Sequence, residues 1–342
     1  MLILSNSLTQ KADEGSLKLA TSLVKRIQRK NPDDTYVVTF EREFDSSDEH
    51  LVLNKFHINA RLISLLRKQK QPVIYIPFPA PTTSMAIRIR LLSLFARCGL
   101  RVMMIRQYPM SRLATALLRQ SKAELIVYSK KACDFYCEIV NNRVVYLKTG
   151  VDTGRFQPVT SDKVRELKIK YGFDPERPII LHVGHMKEGR NVSELMKIDE
   201  KYQVLLVVST ISKERQNPQL KEQLLKCPHI RIMEGYLPCI EEIYQMSDIY
   251  FFPVQTIGHC IDVPLSCLEA AACNKPIITT EYGEMSEFAP QKGFYFLEEL
   301  SSHSINNTIA KALTDGECDT RKQVLDYDYD MAAERLINRI QD

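Results

Sequence analysis

Residues 261–280 read IDVPLSCLEAAACNKPIITT, a loop, a helical pattern and an apolar strand pattern in succession. Apolar side chains at Leu265, Leu268 and Ala272 recur at helical spacing and predict a helix packed on a core. The run PIITT that follows predicts a buried strand. Glu269 stands inside the apolar helix, where a carboxylate is costly unless a partner satisfies it. It pairs with a backbone N–H or a neighbouring lysine, or it holds a ligand.

Strand and helix patterns alternate in the same way along the rest of the chain. MLILSNSL, PVIYIP and RVMMIRQ are strand patterns of the first half, and PIILHVG, QVLLVVS, HIRIM, DIYFFPV, PIITT and GFYFL follow in the second. This alternation is typical of parallel sheets covered by helices on both faces. We predict two doubly wound α/β domains, over residues 1–150 and 151–325. A C-terminal helix within 326–342 is expected to pack back across the domain junction.

The overall composition is that of a globular protein, with 342 residues that are 44% hydrophobic and 26% charged. No apolar run reaches the roughly 18 residues that a membrane-spanning helix needs. The apolar start lacks the basic segment of a signal peptide. Nine cysteines at irregular spacing predict reduced thiols in a cytoplasmic protein, and neither disulfides nor a metal site is expected.

Charge is distributed unequally along the chain. Residues 1–160 carry 25 basic and 13 acidic side chains, whereas the remainder carries 21 basic and 29 acidic ones. Residues 50–123 contain 13 Lys or Arg and no Asp or Glu. The first half is therefore expected to face anions. Within it, residues 84–101 alternate apolar and basic side chains at helical spacing, which fits either a helix covering the sheet or one lying on an anionic membrane.

Two stretches of the second half have the chemistry of a phosphate site. Gly184 ends a strand, and His185 and Arg190 follow it closely. Cations and free N–H groups beside a strand end suit phosphate oxygens, although a turn with solvated basic residues fits the same spacing. Pro264 fits a helix start, which would leave the amides of Leu265 and Ser266 free for an anion.

Four stretches resemble, in order, motifs of retaining GT-B glycosyltransferases, in particular glycosyltransferase family 4. TGVDTGRFQP (149–158) resembles the signature leading into that family's second domain, and HVGHMKEGR (182–190) resembles its strand with Gly, Arg and Lys. GYLPCIEEIYQMSDIYFFPV (235–254) and the stretch at 261–288 resemble its later helix–strand and Glu-containing motifs. The resemblance implies a metal-independent glycosyltransferase of GT-B fold, two Rossmann-like domains facing a central cleft.

The family's nucleotide site carries over residue by residue. The Glu that Glu269 matches holds the ribose hydroxyls of a nucleotide-sugar, which implies a UDP- or GDP-linked donor and no cofactor. The family's Arg and Lys, which bind the diphosphate, fall on His185 and Arg190. The resemblance thus makes Arg190 and Glu269 the candidate catalytic residues.

Other donor-side positions depart from the family pattern. The first Glu of the family's two-Glu motif falls on Ile261, so Asp262 could reach the donor sugar instead. The backbone of Val263 to Ser266 would lie near the phosphates, beside Gly184. Gly15, in a loop that opens a helix, would approach the diphosphate from the opposite wall.

The first domain matches the family only in outline. Its strand ends carry no His, and the acceptor-side candidates are Thr82, Thr83, Ser84 and Gln107. The resemblance implies synthesis of a cell-surface glycan or glycolipid, polysaccharide biosynthesis included. Its acceptor would be an anionic or lipid-linked glycan, met by a cytoplasmic protein on the inner face of the plasma membrane. Alternatives are a degenerate scaffold protein, a nucleic-acid-modifying glycosyltransferase, a sugar-nucleotide epimerase or a phosphorylase. Nucleic acid is the weaker partner, because the chain has no Trp and no helix-turn-helix pattern.

Overall fold

A computed structural model of the chain describes residues 1–6, 8–9, 15–40, 44–53, 58–77, 82–105, 110–140, 143–208, 217–256 and 258–341. The chain divides into two compact units. The first unit is Met1–Thr149 with Tyr329–Asp342, and the second unit is Gly150–Asp328. The chain thus enters the second unit at Gly150 and returns to the first at Tyr329, where the sequence suggested residues 151 and 326.

The first unit contains seven strands and six helices among its described residues. In chain order they are β1 (Leu2–Ser5), α1 (Gly15–Lys30), β2 (Tyr36–Thr39), β3 (Glu49–His50), α2 (Ala60–Lys68), β4 (Val73–Ile76), α3 (Thr83–Phe95), β5 (Leu100–Met104), α4 (Arg112–Gln120), β6 (Glu124–Val127), α5 (Lys130–Val140), β7 (Val144–Tyr146) and, from the C-terminus, α12 (Tyr329–Gln341). Helix α12 packs along α1, where Arg29 and Lys30 pair with Asp330 and Glu334.

The second unit contains six strands and six helices among its described residues. They are α6 (Ser161–Lys170), β8 (Ile179–Gly184), β9 (Gln203–Val208), α7 (Pro218–Leu225), β10 (Ile230–Glu234), α8 (Ile240–Met246), β11 (Ile249–Phe252), α9 (Leu265–Ala272), β12 (Ile277–Thr279), β13 (Phe294–Phe296), α10 (Ser302–Thr314) and α11 (Thr320–Val324). The six strand patterns predicted for this half are confirmed. Their apolar runs are buried because helices cover the sheet, as in β9, whose six residues are all buried.

Both sheets are parallel and share one order of strands. The first runs β3-β2-β1-β4-β5-β6-β7 and the second runs β10-β9-β8-β11-β12-β13. In each sheet the order reverses beside the first strand, between β1 and β4 and between β8 and β11. Ligands of such sheets bind outside the carboxyl ends of the strands at this reversal. The predicted pair of doubly wound Rossmann-like domains is confirmed.

Helix α3 does not place all of its arginine side chains in water. The Arg88 side chain is buried in the first unit, and its Nη1 donates to Asn6 Oδ1 at 2.7 Å. The same Nη1 lies 3.4 Å from the Tyr75 hydroxyl, and the guanidinium stacks over the Phe40 ring. Arg88 therefore belongs to the core beside the end of β1, because Asn6 accepts from its Nη1 and the Phe40 ring covers its guanidinium.

The outer surface of α3 and the neighbouring α4 keeps the mixed apolar and basic character that the sequence predicts. Ile87, Leu94 and Leu113 are exposed by 38%, 58% and 59%. Arg112 is exposed on α4, and Arg97 is exposed just after the end of α3. Among the described residues, no helix has both the length and the apolar character to cross a bilayer.

Candidate functional site

Three loops meet at the carboxyl edge of the second sheet, beside the reversal between β8 and β11. The loop after β8 is tied to the loop after β11 because Asn191 Nδ2 donates to the Pro253 carbonyl oxygen at 2.9 Å. The loop after β12 is tied to it as well, because the Glu284 amide donates to the Asp262 carbonyl oxygen at 2.9 Å. These bonds gather the predicted donor-side residues of the second half at one edge.

The loop after β8 carries Gly184, His185 and Arg190. Gly184 is the last residue of the strand, and a short 3-10 turn, Glu188–Arg190, follows. His185 is buried, and its carbonyl oxygen accepts from the Lys187 amide at 2.9 Å. Gly189 packs against the His259 ring, and an added Cβ would overlap that ring. The turn therefore brings Arg190 back over the end of the strand.

The Arg190 side chain is buried, at 7% exposure, yet its Nε has no hydrogen-bond partner among the described residues. A Cβ added to Gly184 would lie 3.2 Å from Arg190 Nη1, so the guanidinium sits over that glycine. A buried cationic donor without an acceptor is costly. An anionic ligand at this edge would supply the acceptor that this arginine needs.

The loop between β11 and α9 is held in shape by Tyr282 and Gly283. The Tyr282 hydroxyl donates to the Cys260 carbonyl oxygen at 2.7 Å and accepts from the Cys260 amide at 3.0 Å. Gly283 has a φ of +56°, and an added Cβ would overlap the Asp262 carbonyl oxygen. Only glycine fits this close approach, which fixes the half-buried Asp262.

Helix α9 begins after Pro264, which is its N-cap, one residue earlier than the first-turn position that the sequence suggests. The Pro264 carbonyl oxygen accepts from the amides of Cys267 and Leu268 at 3.0 and 3.2 Å. The amides of Leu265 and Ser266 come before these in the first turn, where a helix offers no backbone acceptor. Val263 and Leu265 are buried and Ser266 is half-buried, so this start is part of the loop's packed surface.

Glu269 lies one turn into α9 and is 3% exposed. Burial and then the nearby Glu269 carboxylate raise the pKa of Tyr244 well above its ordinary value. The neighbouring lysine, Lys275, donates through Nζ to the Gln245 carbonyl oxygen at 2.7 Å. Glu269 is therefore buried, as the apolar helical pattern predicts. The Tyr244 phenol lies near it.

The charges of Arg190 and Glu269 both influence the pKa of Cys267. Burial raises the pKa of Cys267 well above its usual value, with Arg190 lowering it and Glu269 raising it. Similarly, burial raises the pKa of Tyr282 to about 12, with Asp262 adding to the rise and Arg190 opposing it. The guanidinium therefore lies within electrostatic reach of Cys267 on α9 and of Tyr282 in the loop after β12. The site combines a cation, two carboxylates and first-turn amides, which suits a polyhydroxylated phosphate ester.

Comparison with known proteins agrees with this chemistry. Residues 163–330, nearly all of the second unit, match the family model described as "Glycosyl transferases group 1". The second unit is therefore similar to a glycosyltransferase group 1 domain. No curated protein matches the chain.

Several solved structures share the fold of this chain. A glycosyltransferase from Rickettsia africae aligns with a TM-score of 0.73 at 16% identity, covering 99% of this chain and 94% of its own. Anabaena HepE in complex with UDP aligns with a TM-score of 0.78 at 11% identity, covering 99% of each chain. UDP-GlcNAc 2-epimerase from Methanocaldococcus jannaschii has a TM-score of 0.61 at 10% identity, covering 100% of this chain and 99% of its own. Glycosyltransferases and an epimerase therefore share its fold.

His182 of the second unit borders the site, although its place inside an apolar strand pattern predicts only a core residue. It lies within β8, fully buried, with its ring stacked beside those of Tyr250 and Phe252. Its Nδ1 is 2.8 Å from the Phe251 carbonyl oxygen, whereas its Nε2 has no hydrogen-bond partner among the described residues. A buried strand histidine is usually a core residue, and only the packing shows that Arg190 is its neighbour.

The first-unit candidates are placed individually. Thr82 caps α3 by accepting from the Met85 amide at 3.2 Å, and Thr83 Oγ1 lies 3.0 Å from Ser111 Oγ. Ser84 is exposed. Gly15 begins α1, and an added Cβ there would meet no atom within 4 Å. Gln107 lies outside the described residues, and the acceptor-side role of the group stays a prediction.

The part of the chain that the structure describes contains no group of three or more His, Cys, Asp or Glu that could hold a metal ion. All nine cysteines are free thiols. Cys133 and Cys137 share one face of α5 with their sulfurs 3.9 Å apart.

Proposed function

We propose that this protein is a retaining glycosyltransferase of family 4 that takes its sugar from a UDP- or GDP-linked donor. The observation that carries the proposal is the buried Arg190, which lies over Gly184 at the carboxyl edge of the second sheet and has no acceptor for its Nε among the described residues. The group 1 domain match supports the transferase assignment, and the HepE structure of the same fold was solved with UDP.

Each site group has a role that its chemistry supports. The Glu269 carboxylate accepts hydrogen bonds from the two ribose hydroxyls, and Arg190 binds the diphosphate with charge-assisted hydrogen bonds. The free amides of Leu265 and Ser266 add donors toward the phosphates. Asp262 accepts from hydroxyls of the transferred sugar. The departing diphosphate gains negative charge as the glycosidic bond breaks, and Arg190 stabilises that charge.

Retention follows from displacement on one face of the sugar. The acceptor hydroxyl attacks the anomeric carbon from the side on which the diphosphate departs. The glycosidic C–O bond to the acceptor forms as the C–O bond to the phosphate breaks, and a phosphate oxygen takes the acceptor proton. No protein base is needed, so the chain's contribution is positioning and charge stabilisation.

A donor panel tests this function. The protein is incubated with UDP-, GDP-, ADP- and dTDP-sugars, and release of the nucleoside diphosphate is measured. We expect release from one or two donors and a product with the donor's anomeric configuration by NMR. Formation of an epimeric nucleotide-sugar would favour an epimerase, and absence of binding to every nucleotide would favour a scaffold protein. Either result would overturn the proposal.

We further infer that the acceptor is presented at an anionic membrane surface. Ile87, Leu94 and Leu113 are exposed on α3 and α4, interleaved with arginines, and residues 50–123 contain no acidic side chain. Exposed aliphatic side chains enter the bilayer interface while arginines contact anionic headgroups. A lipid-linked glycan fits such a surface, and the protein would then act at the cytoplasmic face.

Flotation with liposomes tests this placement. The protein should float with vesicles containing anionic phospholipid at low salt and remain at the bottom with neutral vesicles. A Leu94→Ser, Leu113→Ser variant should lose most of the flotation, whereas Leu225→Ser, an equally exposed leucine of the second unit, should not. Failure to float with anionic vesicles, or binding of duplex DNA instead, would rule out the membrane surface.

A further inference from the structure

His182 and Arg190 border the same small space above Gly184. A Cβ added to Gly184 would lie 3.0 Å from His182 Nε2 and 3.2 Å from Arg190 Nη1. Residue 184 has no side chain, so nothing of its own separates the imidazole from the guanidinium. This space adjoins the end of β8, where the strand order reverses.

The hydrogen bond at the other ring nitrogen fixes the form of the imidazole. Nδ1 lies 2.8 Å from the Phe251 carbonyl oxygen, and a carbonyl oxygen only accepts, so Nδ1 carries the proton. Burial, assisted by the Arg190 charge, lowers the pKa of His182 to about 4. The neutral ring therefore presents a lone pair at Nε2.

Two complementary groups thus lie on either side of Gly184. Nε2 of His182 is an acceptor and Nε of Arg190 is a donor, both are buried, and neither has a partner among the described residues. A buried donor or acceptor that is left unpaired destabilises the folded state. One rotation of the arginine side chain that joins them would remove both costs.

We propose that His182 is the positioning residue for Arg190. When a diphosphate binds, an N–H of the guanidinium donates to His182 Nε2 while the remaining donors reach the phosphate oxygens. The imidazole is held by β11 and by the rings of Tyr250 and Phe252, so it provides a rigid anchor. This role rests on the proposed function, because the aimed guanidinium serves a nucleotide-sugar.

Two substitutions separate the two ring nitrogens. In His182→Asn the amide N–H stands where Nδ1 stands and can still donate to Phe251, but nothing replaces Nε2. In His182→Gln the side-chain amide reaches the Nε2 position. We expect His182→Asn to weaken UDP binding and lower kcat about tenfold, the value of one hydrogen bond to a charged group. His182→Gln should restore part of both.

A double-mutant cycle decides whether the effect passes through Arg190. In the Arg190→Ala background, His182→Asn should change UDP affinity less than twofold, because the group that it positions is gone. Equal losses in both backgrounds would assign His182 a purely structural role and overturn the proposal. The free energy of unfolding of each variant, measured in urea, shows whether folding is intact.

A spectroscopic readout keeps this result separate from the proposed function. In protein labelled with ¹⁵N-histidine, the His182 Nε2 resonance should shift on addition of inorganic pyrophosphate, and Arg190→Ala should abolish the shift. A resonance that ignores both changes would overturn the positioning role even if the donor panel succeeds. A shift that appears while no donor is used would retain the positioning role and reject the transferase.

Discussion

The two sheets have the same strand order, and each has a buried arginine near the strand-order reversal, but the two arginines differ in their partners. Arg88 in the first unit donates to Asn6 and lies beside the Tyr75 hydroxyl and the Phe40 ring. Arg190 in the second unit lies over a glycine, with its Nη1 3.2 Å from the position that a Cβ on Gly184 would take. The same fold thus places one arginine against core side chains and the other over a glycine at the carboxyl edge of the sheet.

Replacement of Arg190 should give the largest functional effect. Arg190→Ala should lower kcat by about 10²- to 10³-fold, because one well-aimed donor to developing charge has that value. Steady-state kinetics with the donor found in the panel measures it. Arg165→Ala, which removes an exposed arginine paired with Glu176, is the matched control and should leave kcat unchanged. A fall of less than threefold for Arg190→Ala would count against the assignment.

Replacement of Arg88 should reverse this pattern. Arg88→Met removes a buried donor from Asn6 and Tyr75, and we expect a loss of about 3 kcal/mol in the free energy of unfolding. Urea unfolding measures this loss, and calorimetric titration should give an unchanged UDP affinity for the folded variant. If Arg88→Met weakened UDP binding while stability stayed the same, the contrast between the two arginines would be wrong.

The loop geometry around Asp262 can be tested at Gly283. Gly283→Ala should cost about 2–3 kcal/mol of stability, because the added Cβ overlaps the Asp262 carbonyl oxygen and the backbone has a left-handed φ. Gly316→Ala is the control, since Gly316 has a similar φ of +66° and only ordinary contacts. It should cost about 1 kcal/mol. Equal losses would show that backbone strain alone accounts for the effect.

His182 predicts a pH dependence of stability in the second unit. The unfolded chain takes up the proton near pH 6.5, whereas in the folded state burial and the Arg190 charge lower the pKa of His182 to about 4. The part of the unfolding free energy that depends on neutral His182 is therefore fully present above about pH 6.5. It is lost as the pH falls toward 4. Between pH 7 and pH 5 the loss should be about 2 kcal/mol.

Removal of the imidazole tests this origin. His182→Asn should flatten that part of the curve of unfolding free energy against pH, while His303→Asn, at an exposed histidine, should not. Besides Arg190, the titratable Tyr250 faces the His182 ring, and it stays neutral throughout this range because burial raises its pKa well above the ordinary value. An unchanged slope in His182→Asn would place the acid sensitivity elsewhere.

Most of the fold was predictable from the sequence because apolar periodicity marks buried strands and helices. The two-residue strand β3 and the five-residue helix α11 were missed, since elements that short carry no periodic signal. The motif residues from Gly184 to Glu269 could be named in advance. Their meeting at one edge follows from parallel topology, because carboxyl ends of neighbouring strands lie together.

The contacts between side chains were not predictable. In the sequence Arg88 is one of 13 basic side chains in residues 50–123, and only packing shows that Asn6 binds it while Arg190 lies over Gly184. His182 stands inside an apolar strand pattern, so its lone pair and its arginine neighbour became visible only with coordinates. Long-range neighbours of this kind leave no pattern in a single sequence.

Calorimetric titration of UDP and GDP into the wild-type protein and Glu269→Gln tests whether Glu269 holds a bound nucleotide. Glu222→Gln, an exposed glutamate of the second unit, is the matched control. We expect one of the two nucleotides to bind the wild type and Glu222→Gln with the same affinity. Glu269→Gln should bind it at least about tenfold more weakly with its fold intact, since a charged acceptor is lost. Equal affinity in all three proteins, or no binding to the wild type, would show that Glu269 does not hold a nucleotide.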